Sequence, residues 1–324
     1  MSRLHSALSK ILLEDPASVE GLPRNEGTRL GELLESSRLE PILYKRLKDG
    51  QAEERLSPER LAAWKMAYVL SVGRSLAFGE ALEEIIQIAA RIGTPVRLLR
   101  GTHLAFFVYP SPELRPLGDL DIQTPHEFAV ELQYALRRRR FLEIEDLDPA
   151  RVHCLPRLAR EGVTVRIHKR STPDPMPWDA FSESARHLSR PRLLRPEPLL
   201  VHLAQDASAR SFCHSLLSLH DMHVVVEKLK PDWERVFAVA REANLSMETH
   251  LAIGLVEDLL GPCVPQEFAR DFEELGSWAT SRRDLLRKLS RTAVVQYPAS
   301  WRLSTFIGRV LKEARACSGA VWSL

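Results

Sequence analysis

Two short stretches decide how this chain folds: Leu98-Leu-Arg-Gly-Thr-His103 and Arg115-Pro-Leu-Gly-Asp-Leu-Asp-Ile122. Asp119 and Asp121 stand two apart in a short apolar run. On a β-strand such residues point to one face, while Leu120 and Ile122 point to the other, toward a core. Two carboxylates side by side repel each other and need a neutralising partner. A divalent ion is one answer, because Mg²⁺ is held by one or two carboxylates together with substrate phosphates. Upstream, Val96 to Leu99 reads as a short buried strand. Arg100-Gly-Thr102 then forms a turn, with Thr102 as the expected cap of a short helix over His103 to Val108.

The pattern continues outward. Ile85, Ile86, Ala89 and Ile92 repeat at helical spacing, and residues 1–93 read as helical. Thr124-Pro-His-Glu127 predicts a helix start, with Thr124 as cap, running to about Arg139. Phe141 to Ile144 reads as a strand. Arg151 to Arg160 and Val163 to Lys169 flank Glu161-Gly162 as a hairpin, with Pro156 at an edge or bulge. In its second strand Val163, Val165 and Ile167 share one face, and Thr164, Arg166 and His168 share the other. Residues 171–198 are Pro- and Arg-rich, and Leu199 onward is helical again. The expected organisation is an N-terminal helical region (1–94), a compact palm (95–170), a connector (171–198) and a C-terminal helical domain (199–324). The fold class is α/β (α+β), a small mixed sheet flanked by helices.

Bulk properties exclude several classes. A hydrophobic content of 44% and a charged content of 27% fit an ordinary globular protein. A formal net charge of +2 does not mark a dedicated nucleic-acid binder, so any basic effect is local. The four cysteines (Cys154, Cys213, Cys263 and Cys317) are widely spaced and form no Cys-x-x-Cys pair. That argues against a zinc knuckle or a disulfide framework and suits a reducing cytoplasm. No apolar run is long enough to span a bilayer, and no leader-like segment is expected.

The motifs resemble those of the DNA polymerase β-like nucleotidyltransferase superfamily, and more narrowly a bacterial family of uncharacterised nucleotidyltransferases. The carriers are Arg100-Gly101, Arg115, Asp119-Leu120-Asp121 and Arg166-Ile167-His168. Leu199-Leu-Val-His-Leu-Ala204, Asp221, Asp232-Trp-Glu234 and Leu260-Gly-Pro-Cys-Val-Pro265 extend the resemblance over about Trp64 to Pro265. It implies transfer of a nucleoside monophosphate from an NTP to an acceptor, with release of pyrophosphate. Asp119 and Asp121 would hold Mg²⁺ (or Mn²⁺). Arg100, Gly101, Thr102 and Arg115 would hold the triphosphate. In such chemistry two metals roughly 3.5–4 Å apart flank the reacting phosphate, and the protein supplies position and charge.

Two positions depart from the family pattern. The family's Lys before Gly is Arg100. The family's acidic residue two before the His, its expected third metal carboxylate, is Arg166. Arg166 is also a nucleotide-binding candidate: swung out to solvent it would clamp phosphate, whereas in the third-ligand position it would face both aspartates and block metal. Its attraction at ~4 Å is on the order of 4 kcal/mol at an effective dielectric of about 20, before desolvation. Three readings follow: an enzyme working with one metal, a pseudoenzyme that binds nucleotide without turnover, or a site in which His168 supplies the missing ligand. His168 lies about 6.6 Å further along the strand than Arg166 and would need a shifted register. Glu143 and Glu145 are further carboxylate candidates.

Three other features carry alternatives. Arg137 to Arg140 end a helix, where basic residues are at home. With Arg151, Arg157, Arg160, Lys169 and Arg170 they would otherwise make a basic rim for a polyanion such as tRNA. A small molecule, peptide or protein acceptor is expected over RNA. His202, His214, His220-Asp221 and His223 invite comparison with helical HD phosphohydrolases, against packing roles for the same residues. Trp233 after Asp232 reads as a buried helix-start anchor.

Overall fold

In the computed structural model, residues 3–144, 154–169, 189–209, 212 and 216–275 are described. Glu145, Arg151, Arg170, His214, most of the connector and the tail beyond Leu275 lie outside them. Four helices open the chain: α1 (Arg3–Leu13), α2 (Arg24–Ser36), α3 (Glu40–Asp49) and α4 (Pro58–Ile92). The palm follows as β1 (Arg97–Leu98), α5 (Arg100–Phe107), β2 (Leu120–Gln123), α6 (His126–Arg138), β3 (Leu142–Ile144), β4 (Arg157–Arg160) and β5 (Val163–His168). Then come α7 (Pro196–Ala209), α8 (Leu216–Leu229), α9 (Trp233–Glu242), α10 (Ser246–Leu260) and α11 (Ala269–Leu275). The fold is thus mixed α/β, with a small five-stranded sheet and flanking helices.

The chain divides into two compact units, Met1–Met66 with Pro196–Leu324, and Ala67–Arg195. In the first, α7 packs against α8, α9 and α10, and α1 lies on α10. Leu8, Ile11 and Leu12 of α1 are buried there. Asp232 caps α9 by accepting the Arg235 N–H at 3.3 Å, and Trp233 beside it is buried as its position predicts.

The second unit holds the sheet, in the order β1-β2-β5-β4-β3. β2 and β5 are parallel neighbours, and the other pairs are antiparallel. Leu120, Ile122, Val165 and Ile167 project from one face into a core with Phe78, Ile85 and Ala89 of α4 and Leu132 and Leu136 of α6. Each buried aliphatic side chain stabilises by about 1.5–3 kcal/mol relative to exposure. The period-2 pattern therefore fixes the register, because a one-residue slip would turn Asp121 into this core. Glu161 (φ 51°) and Gly162 (φ 81°) form the two-residue turn between β4 and β5. Two successive left-handed residues match the twist of a tight hairpin.

Two expected helix caps are not made. α5 begins at Arg100 without a side-chain cap, and the Thr102 hydroxyl binds β2 instead. α6 begins at His126, also without one, and the Thr124 hydroxyl bonds that of Thr94 at 2.7 Å. In both cases a tertiary partner outcompetes the local N–H groups.

Candidate active site

The site is the polar face of β2 and β5. Their parallel register sets Asp121 opposite Arg166 and Gln123 opposite His168. Asp119 precedes β2 on the same face. Arg166 Nη2 donates to Asp119 Oδ2 at 2.7 Å, and Nη1 lies 3.8 Å from Asp121 Oδ1. Arg166 is only 8% exposed, and its Nε has no hydrogen-bond partner among the described residues. The guanidinium therefore sits against both carboxylates with donors to spare.

His168 reaches Asp121 without any register shift. Its Nε2 lies 2.8 Å from Asp121 Oδ1, diagonally across the strand pair, and its Nδ1 lies 3.4 Å from Cys154 Sγ. Burial works to raise the Asp121 carboxyl. The His168 hydrogen bond and the attraction of Arg100 and Arg166 outweigh it and hold that carboxyl well below the usual range. Asp121 is thus a partly buried carboxylate kept ionised by what surrounds it.

The turn before α5 is tied to the same strand. The Asp121 N–H donates to Thr102 Oγ1 at 2.8 Å, and the Leu99 N–H donates to the Asp121 carbonyl at 3.1 Å. Thr102 is fully buried; accepting this bond leaves its own O–H as a donor. Arg115 closes over the turn. A Cβ at position 101 would lie 2.9 Å from Arg115 Nη1 and 3.2 Å from its Cζ. Only glycine admits that approach. Arg115 Nη1 also donates to the Pro116 carbonyl at 2.9 Å. Arg100 holds a left-handed φ of 47°, an unfavourable conformation for a side chain with a Cβ.

All eight residues singled out in the sequence therefore fall on this face or at the turn that abuts it. Arg157 and Cys154 join them. Arg157 Nη1 lies 3.9 Å from Asp119 Oδ1. Counting back from the Glu161-Gly162 turn pairs Arg157 with Arg166, so the hairpin contained that signal. Cys154 had none, since its place depends on an irregularity in the hairpin.

Other candidates fall away. Glu143 pairs with Leu158, which pairs with Val165, so it shares the face opposite the aspartates; it lies 3.6 Å from Arg137. Arg160 is engaged by Glu84 at 2.6 Å, by the Arg139 carbonyl at 3.0 Å and by the Phe141 ring at 4.1 Å. The alternative of a basic rim therefore loses Arg160. His202, His220 and Asp221 are buried in the helical unit. No group of three or more His, Cys, Asp or Glu residues able to hold a metal occurs among the described residues.

No curated protein and no solved structure matches the chain. A family model described as "uncharacterised nucleotidyltransferase" matches residues 24–261, from the first residue of α2 to the glycine that ends α10. That span holds the whole sheet, the turn and the aspartate pair, and the chain belongs to this nucleotidyltransferase family.

Proposed function

We propose that the protein transfers a nucleoside monophosphate from an NTP to an acceptor, using one exchangeable divalent ion and Arg166 in place of a second. The observation that carries this reading is the position of Arg166, 2.7 Å from Asp119 and 3.8 Å from Asp121. A divalent ion together with a third carboxylate contributes one net positive charge. An arginine contributes the same. Exchanging the pair for Arg166 conserves the charge offered to the reacting phosphate, which is the main quantity such a site must supply.

The remaining donors fit a single Mg²⁺ or Mn²⁺. Asp119 and Asp121 are two carboxylates, one of them held ionised, and Mg²⁺ commonly takes one or two carboxylates with substrate phosphates completing its shell. Such an ion would polarise the phosphate and neutralise the departing pyrophosphate. The chain does the rest. Arg100, Arg115 and the Gly101-Thr102 turn bind the triphosphate. Arg166, with N–H groups not spent on aspartate, meets developing charge on the transferred phosphate. His168 acts through Asp121: both its ring nitrogens have partners, so it steadies a ligand rather than serving as one. The acceptor is a small molecule, peptide or protein; the engagement of Arg160 by Glu84 thins the basic surface that RNA would need.

The test is incubation with each α-³²P-labelled NTP, Mg²⁺ or Mn²⁺, and cell extract as acceptor source, with the double variant Asp119→Ala/Asp121→Ala alongside. Label transfer that falls about a hundredfold or more in the variant is expected. A second reading, nucleotide binding without turnover, is favoured by the fact that both carboxylates already have cationic or hydrogen-bonding partners. Nucleotide binding with no transfer from any NTP would select it.

A further inference from the structure

Cys154, His168 and Asp121 form a hydrogen-bonded chain that leads away from the aspartate pair. Cys154 is 9% exposed and His168 is 1% exposed. The chain is set by the backbone. Cys154 stands opposite His168 in an antiparallel bridge, and the adjacent Leu155 N–H donates to the Ile167 carbonyl at 2.9 Å. The thiol is thus delivered to Nδ1 by strand pairing.

We infer that Cys154 is a positioning residue: its thiol fixes His168 in the tautomer that holds Asp121 in place. A neutral imidazole carries one proton, on either Nδ1 or Nε2. Donation to the Asp121 carboxylate requires it on Nε2 and leaves Nδ1 as an acceptor. The Cys154 S–H supplies the matching donor. The other tautomer would set an Nε2 lone pair against Asp121 Oδ1 at 2.8 Å and repel it. The terminal torsion of an aspartate is broad, so this bond decides how the carboxylate is turned. Outer partners of this kind commonly alter metal affinity by 10–100-fold. Three residues from three segments then serve one oxygen: β2 brings the carboxylate, β5 the imidazole, and the chain ahead of β4 the thiol. The link to metal affinity rests on reading Asp121 as a ligand; the tautomer does not.

The experiment is long-range ¹H–¹⁵N NMR of the histidine side chains in the full chain. The His168 signals are identified by their loss in His168→Gln. Calorimetry with Mg²⁺ and Mn²⁺ accompanies it. The wild type should show His168 protonated at Nε2. Cys154→Ser, which keeps an O–H donor, should retain that tautomer. Cys154→Ala should give a tautomer mixture and about 10-fold weaker Mg²⁺ binding. An Nδ1-protonated His168 in the wild type, or a Cys154→Ala spectrum identical to it, would overturn the inference. A tautomer that follows Cys154 while no variant binds either metal would support the hydrogen-bonded chain and count against the metal reading instead.

Discussion

At the scale of single residues, the site is built from positions whose ordinary behaviour is suppressed. Gly101 is one. Because Arg115 Nη1 would meet a Cβ at 2.9 Å, Gly101→Ala should displace the Arg115 guanidinium from the turn. Triphosphate affinity, measured by calorimetry with a non-hydrolysable NTP analogue, should fall about tenfold, the loss of one charge-assisted hydrogen bond. Unchanged affinity would remove Arg115 from the triphosphate site. His103, the neighbour of Thr102, is another. It is 3% exposed, and burial pushes its imidazole down to about 4. The unfolded chain takes up this proton near the ordinary histidine value of about 6.5. The folded state does not, so the contribution of His103 is fully present above about 6.5 and declines as pH falls toward 4. The loss is on the order of 3 kcal/mol. Urea denaturation at pH 7.5 and 4.5 should show this difference in the wild type and a smaller one in His103→Leu. Equal pH sensitivity in the two proteins would mean that His103 is not the group responsible.

At the scale of elements, the β4–β5 hairpin makes the site's geometry legible or hides it. Its two-residue turn is a strong sequence signal, and from it the facing of Thr164, Arg166 and His168 follows by alternation. That this face meets the aspartates was legible only through the family resemblance, which puts Arg166 in the third-ligand position. Beyond Arg157 the alternation breaks. Leu158 pairs with Val165, a register that would set Leu155 opposite His168, but Cys154 stands there instead, so the strand carries one extra residue at Leu155-Pro156. Proline cannot donate to the ladder, and a bulge is where strands accommodate it. This extra residue brings a thiol rather than a leucine to His168, and no periodicity reveals it. The reach of His168 to Asp121 was hidden for a related reason. Rise along the strand measures the separation of backbones, whereas a long side chain crosses diagonally to the next strand. The two missed caps are tertiary as well, since Thr102 and Thr124 found partners distant in sequence. The turn itself admits a test. Glu161 holds a φ of 51°, a conformation that asparagine tolerates better. Glu161→Asn should stabilise the protein by about 0.5–1 kcal/mol in urea denaturation. Destabilisation would mean that the Glu161 side chain makes a contact worth more than the strain.

At the scale of the whole molecule, the helical unit is assembled from both ends of the chain, and the unit with the sheet is the stretch between them. The family match begins after α1 and ends before α11. Yet α1 buries Leu8, Ile11 and Leu12 and packs on α10, so the helical unit extends past the matched span. No helix among the described residues is long and apolar enough to cross a membrane. The small net charge of +2 conceals a local concentration, with Arg100, Arg115, Arg157 and Arg166 gathered around Asp119 and Asp121. The pairing of Arg166 with Asp119 has one further consequence. A cation that belongs to the polypeptide cannot be chelated. Excess EDTA should abolish transfer while leaving the protein on an immobilised-NTP resin, and Arg166→Ala should be released from that resin by the same wash. Part of the site's positive charge would then be exchangeable with the medium, and the rest inherited with the chain.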